Sequence, residues 1–151
     1  MREILFRGKW FGNNEWVEGA FYAYYDFNRT IVQILKDRTN GIPDAYEVYP
    51  ETVGQYTGLT DKNGKRIFEG DVVKVDGFES WVNGFYIVEF KDVNHCWWLQ
   101  NQYMFGKSFS FSDLNWFHED CEVIGNIHDN PELMGGGGAN EVLPRRRLRS
   151  L

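Results

Sequence analysis

The sequence predicts a mainly β protein, a small barrel or sandwich of short antiparallel strands with at most one or two short helices. Three observations carry that expectation. Apolar residues recur at every second position, and no long stretch shows helical spacing. Aromatic residues, which fit a pleated and half-buried surface, make up 17% of the chain. Turn residues punctuate the alternating runs at short intervals, the pattern of many short strands rather than of strand–helix repeats.

In chain order, Ile4 to Arg7 alternate as a first strand, and Gly12-Asn13-Asn14 supplies a tight turn. Glu15 to Tyr25 reads as a second strand with Trp16, Glu18, Ala20, Tyr22 and Tyr24 on one face. The β-branched run Thr30–Leu35 is a third, and Lys36–Ala45, with Gly41 and Pro43, reads as a loop. Tyr46–Thr57 holds one or two short strands interrupted by Pro50 and Gly54. Asp61-Lys62-Asn63-Gly64 is the strongest hairpin signal, since Asn-Gly accepts positive φ at little cost. Gly70 fits a bulge that turns the Val72–Val75 strand around a barrel corner. Phe85–Phe90, Cys96–Leu99 and Glu122–Ile127 are the remaining strands, and Ser112 caps a short helix or turn through Phe117.

The totals bound the function. A chain of 151 residues closes one core. Its formal charge is −6, and the charge is uneven: between Gly135 and Leu151, Arg145, Arg146, Arg147 and Arg149 stand against Glu141 alone, a balance of +3 that leaves −9 on residues 1–134. A body that acidic has no electrostatic reason to lie on double-stranded DNA, which binds proteins by counterion release to cations. No apolar run is long enough to span a bilayer and Met1–Arg7 lacks the apolar stretch of a signal peptide, so a cytoplasmic protein with Cys96 and Cys121 reduced is expected. The division is a β domain over 1–134 and a glycine-rich linker with a basic tail over 135–151.

Two long motifs and an opening hairpin resemble the YopX family of bacteriophage and prophage proteins. Val53–Val73, which contains Gln55-Tyr56-Thr57-Gly58-Leu59, Asp61-Lys62-Asn63-Gly64 and Glu69-Gly70-Asp71, is similar to its central signature. Glu122–Leu133, with Val123-Ile124-Gly125-Asn126 and Asn130-Pro131-Glu132-Leu133, is similar to its closing signature. Ile4–Lys9 followed by Glu15-Trp16-Val17 fits the first hairpin, so the resemblance covers residues 1–134. It implies a β-rich fold, a phage or prophage origin and self-association, and it brings no mechanism. Read without the family, the same residues are turn chemistry: small polar side chains that bond local backbone, and glycines that relieve strain.

No catalytic constellation stands out. His95, Cys96, His118 and Cys121 are of the types that zinc takes, but His95 and Cys96 are adjacent, face opposite sides of a strand, and belong to no paired-cysteine knuckle. Neither metal nor cofactor is expected. Ser108, Ser110 and Ser112 alternate with Phe109 and Phe111 without a nucleophile elbow. Glu119, Asp120 and Glu122 read as a solvated acidic turn. The aromatic set Trp81, Phe85, Tyr86, Trp97, Trp98, Tyr103, Phe105, Trp116 and Phe117 exceeds what one small core face hides, and extended Trp97-Trp98 must split between two faces.

The expected function is therefore a phage or prophage accessory binding protein without catalysis. In one version it sequesters a planar, nucleotide-like host signal as counter-defence. Trp97, Trp98, Tyr103 and Trp116 would stack the ligand, and Arg38, Lys91, Lys107 or the tail arginines of a second subunit would neutralise its phosphate. In the other it is an acidic protein–protein module that inhibits a host factor. A homo-oligomer is expected in either case.

Overall fold

The computed structural model describes residues 3–77, 82–93, 95–101, 108–110 and 120–135, with backbone alone at 108–110 and 135. The described residues form eleven strands: β1 (Phe6–Lys9), β2 (Trp16–Asp26), β3 (Arg29–Lys36), β4 (Asp44–Glu47), β5 (Gly54–Thr60), β6 (Arg66–Phe68), β7 (Asp71–Val75), β8 (Gly84–Lys91), β9 (Cys96–Gln100), β10 (Ser108–Ser110) and β11 (Cys121–Asn126). Two 3-10 turns, Pro50–Thr52 and Pro131–Gly135, are the helical elements among them. The strands make two antiparallel sheets, in the orders β4-β3-β2-β1-β5-β6 and β10-β9-β8-β7-β11. The mainly β expectation holds, with open sheets in place of a closed barrel: each ends in two edge strands. No helix among the described residues is long and apolar enough to cross a membrane.

The chain forms two compact units, residues 1–59 and 60–151. In the first, β1 begins at Phe6, two residues later than periodicity predicts, and pairs with β2 from Phe6↔Gly19 to Lys9↔Trp16. The β1–β2 turn places Asn14 at φ 60, a left-handed position that Asn tolerates, and Asn13 Oδ1 accepts the Glu15 N–H. Beyond Gly19, β2 changes partner. Ala20–Asp26 pair with β3, from Ala20↔Leu35 to Asp26↔Arg29, and Phe27-Asn28 closes that hairpin. Val32 and Ile34 of β3 join Val48 in a buried cluster against which Phe6, Val17 and Val53 pack. β4 starts inside the segment expected to be a loop, because Tyr46 finds a cross-strand partner in Ile34. Gly54 opens β5 instead of interrupting it.

In the second unit, β7 and β8 carry the buried side chains Val72, Val73, Val75, Tyr86, Ile87 and Val88, and β9 adds Trp97 and Leu99. The alternation expected for Tyr86, Val88 and Phe90 is present, but Phe90, next to the strand's end, is 40% exposed. Gly70 is not a bulge. It sits at φ 84 in the β6–β7 turn, donates its N–H to the Val88 carbonyl and accepts from the Ile127 N–H. The bulge lies on β11, between Val123 and Gly125. The proposed Ser112–Phe117 helix and the tail from Gly136 lie outside the described residues, and Gly135 ends the second 3-10 turn.

Candidate functional site

Among the buried polar side chains of the signatures, Asp61, Asp71 and Asn126 are the natural first candidates for chemistry. Each accepts backbone N–H groups. Asp61 Oδ1 accepts the N–H groups of Asn63 and Lys65, both at 2.9 Å, closing the turn in which Gly64 takes φ 79. Its Oδ2 accepts the Val123 N–H at 2.9 Å, sixty-two residues along the chain. Burial alone would raise the Asp61 pKa, but the three donors outweigh it and hold the carboxyl below its ordinary value. Lys62 adds an N–H to the Cys121 carbonyl and an ion pair with Glu122 at 3.1 Å. The central signature thus fastens its hairpin to the closing strand.

Asp71 Oδ2 accepts the Phe68 N–H at 2.8 Å across the Glu69-Gly70 turn. Asn126 Oδ1 accepts the N–H groups of His128 and Asp129, and Asn130 Oδ1 accepts the Asn126 N–H. A Cβ on Gly125 would stand 2.4 Å from Asn130 Oδ1, so the returning loop requires a glycine there. The turn reading of both signatures fits these bonds.

Cys96 and Cys121 are free thiols on β9 and β11, with β8 and β7 between them in the sheet. Burial pushes the Cys121 thiol up to about 12, and the nearby Asp120 and Asp61 carboxylates add to the shift, so it stays protonated and unreactive. No cluster of His, Cys, Asp and Glu able to hold a metal occurs among the described residues; His118 and Glu119 lie outside them.

The predicted ligand residues separate. Trp97 is turned into the core, edge-on to Phe90 with ring centres 5.1 Å apart. Trp98 faces the other side, as two adjacent strand residues must. There it forms a half-buried ledge with Cys96, Lys91 and Gln100, set on one face by the pairs Lys91↔Cys96, Glu89↔Trp98 and Ile87↔Gln100. Lys91 Nζ stands 4.8 Å over the Trp98 ring and donates to Gln100 Oε1 at 2.8 Å, while the indole N–H points to Cys96 Sγ. Arg38 belongs to the first unit and is ion-paired with Asp44. Tyr103, Lys107 and Trp116 lie outside the described residues, as do Trp81, Phe105 and Phe117.

Among the described residues, exposed aromatics are concentrated on the arm made by β2 and β3. Phe21, Tyr22, Tyr24 and Tyr25 are all exposed, and Phe27 at the tip is 91% exposed. Tyr22 and Tyr24 lie side by side on one face with ring centres 5.6 Å apart. Phe21 and Tyr25 take the other face, where Phe21 leans on Phe6 at 5.3 Å. Phe27 has φ 49, a left-handed conformation that costs a bulky side chain about 1 kcal/mol or more. From Ala20 to Tyr25 there is no charge and no proline. This is a large apolar surface for a chain with a formal charge of −6, and such patches mark interaction sites.

A model of the YopX protein family matches residues 5–135, a range that contains both signatures. The chain belongs to the YopX family. No curated protein matches it. Among solved structures, the crystal structure of protein EF1440 from Enterococcus faecalis is 23% identical over 89% of this chain and 99% of that one, with a TM-score of 0.45. The arm lies within the YopX match but outside the two signatures, which is why motif reading passed over it. A signal was present: β2 has aromatics at both odd and even positions, whereas a strand with one buried face alternates.

Proposed function

We propose that this YopX protein is a non-catalytic recognition protein that docks on another protein chain through the β2–β3 arm. The exposed, uncharged aromatic strip from Phe21 to Phe27 carries the reading. Tyrosine and phenylalanine supply large contact area at little conformational cost, which is why aromatics concentrate at interface centres. The signature carboxylates support it from the other side, since Asp61 and Asp71 are occupied by backbone donors. Recognition without turnover suits an accessory protein of a phage or prophage, the origin that the family resemblance implies.

A second reading has its own observation. The Trp98–Lys91 ledge combines an indole with a fixed ammonium, a pairing that suits a small planar anion such as a nucleotide. One experiment separates the two. Immobilised full chain is expected to retain a protein partner, a second copy included, in salt that screens ion pairs. The triple variant Tyr24→Ser, Tyr25→Ser, Phe27→Asn is expected to keep the fold and lose the partner. Retention unchanged in the triple variant, or a nucleotide panel that raises the Tm of the wild type but not of Lys91→Ala, would overturn the arm in favour of the ledge.

A further inference from the structure

We propose that the arm recognises its partner by strand addition. A short, uncharged, extended strand of another protein lies antiparallel along Phe21–Asp26 of β2, its N-terminal end carrying a cation opposite Asp26. The inference rests on the arm being the recognition surface. Its first support is an open strand edge. Among the described strands, Ala20–Asp26 have β3 as their one neighbour. β1 pairs with β2 no further than Phe6↔Gly19, and residues 3–5 ahead of it form no strand. Leu5 turns its carbonyl to the Tyr56 N–H of β5, away from β2. An added strand therefore runs in line with β1 and ends or turns away before Phe6.

The backbone on that edge points outward in a defined alternation. The Val48 N–H donates to the Val32 carbonyl at 3.0 Å, so the polar groups of Val32 face β4. Ala23 stands opposite Val32 and, because antiparallel bonding alternates, its N–H and C=O face away from β3. Phe21 and Tyr25 share that parity. A row of outward donors and acceptors calls for the same groups in return. An extended main chain supplies them, whereas a helix has bonded its own. Antiparallel pairing is the better bonded direction, and the strands around this edge all use it. From Ala20 to Tyr25 the edge also lacks the lysines and prolines that keep added strands away.

Side chains and charge set the chemistry of the added strand. Tyr22 and Tyr24 stand on one face and Phe21, Ala23 and Tyr25 on the other, all of them exposed. Ala23 leaves a notch between Phe21 and Tyr25, where a branched apolar residue placed opposite it meets both. A charge within the strand finds no opposite charge between Ala20 and Tyr25. The edge carries its charge at the end. Arg29, the cross-strand neighbour of Asp26, is ion-paired with Glu47, which leaves the Asp26 carboxylate for a cation of the partner. The formal charge of −9 on residues 1–134 favours the same sign. In an antiparallel strand that cation comes first, and the uncharged residues follow it toward Phe21.

The test is titration of the full chain with the synthetic peptide acetyl-Lys-Val-Thr-Leu-Thr-Val-amide, read from the backbone amide signals in NMR. The peptide sets lysine opposite Asp26 and leucine opposite Ala23. It is expected to shift and protect the amides of Phe21, Ala23 and Tyr25. N-methylation of its leucine removes the N–H that faces Ala23 and is expected to weaken binding about tenfold or more. N-methylation of the threonine after it, whose N–H faces away, is expected to change binding by less than about threefold. Glutamate in place of the lysine is expected to weaken binding severalfold at low salt. Ala23→Pro removes the outward donor, spares the β3 ladder and is expected to abolish the shifts. If circular dichroism shows that this variant has lost its strands, the two methylated peptides decide on the wild type. No shift with the parent peptide, equal loss from both methylations, indifference to the glutamate, or unchanged binding by folded Ala23→Pro overturns the proposal. Protection of those three amides in the chain alone also overturns it, since residues 1–5 or a second copy would then hold the edge. If the peptide fails while the variant Tyr24→Ser, Tyr25→Ser, Phe27→Asn still loses a retained protein, strand addition falls and arm recognition stands.

Discussion

Asp61→Ala is expected to lower the free energy of unfolding by about 3 kcal/mol, measured by urea denaturation. The carboxylate accepts three backbone N–H groups, and bonds to a charged acceptor are worth roughly 1.5–3 kcal/mol each, less what water returns to the two turn donors. The Val123 N–H is the costly one, since it lies on buried β11 and is left without an acceptor. Asp61→Asn keeps one oxygen for the turn but loses the charge that the donors stabilise. The pH dependence follows from the lowered pKa. Stability from Asp61 is complete above the unfolded value near 3.8 and is lost as pH falls through the lower folded value. The gap between wild type and Asp61→Asn should therefore be constant around neutrality and shrink in acid. A gap of equal size at roughly pH 7 and pH 3 would mean that ionised Asp61 does not fasten the hairpin to β11.

Gly19→Ala carries the other large effect. Gly19 is where β2 leaves β1 for β3, and a Cβ there would stand 2.1 Å from the Leu35 carbonyl oxygen and 2.8 Å from its carbon. Those are backbone atoms, so no rotamer change relieves the clash and the β2–β3 ladder must shift. A cost of about 2–4 kcal/mol is expected, seen as a Tm lower by roughly 5–15 °C. An unchanged Tm would show that the strand crossing is looser than this close approach requires.

The strands whose side chains alternate against a single core were legible in the sequence. β3, β8, β9 and β11 stand within a residue or two of their expected bounds, and the Asp61–Gly64 hairpin is where Asn-Gly placed it. What failed to show depends on distant neighbours. β4 was hidden because Asp44-Ala45 has little strand propensity of its own and forms by pairing with Leu35 and Lys36. Gly70 and Gly125 look alike in sequence. One is a turn residue at positive φ and the other stands beside a bulge, required by the return of Asn130. The aromatic surplus was visible as composition, but its place was not. Whether Tyr22 or Trp97 is covered depends on how many layers lie over each face, and local pattern does not encode that number. Trp97 sits in the core of the second unit, whereas Tyr22 stands exposed on β2.

Residue-resolved hydrogen exchange of the full-length wild type, alone and with the protein that it retains, tests recognition through the arm most directly. Among the β2 amides, those of Tyr22 and Tyr24 have the parity bonded to β3, and those of Phe21, Ala23 and Tyr25 the parity facing out. The account predicts slow exchange for Tyr22 and Tyr24 with or without the partner. For Phe21, Ala23 and Tyr25 it predicts protection with the partner bound that is lost when the partner is removed. Exchange of those three at the rates of free backbone in bound and free protein alike would contradict it.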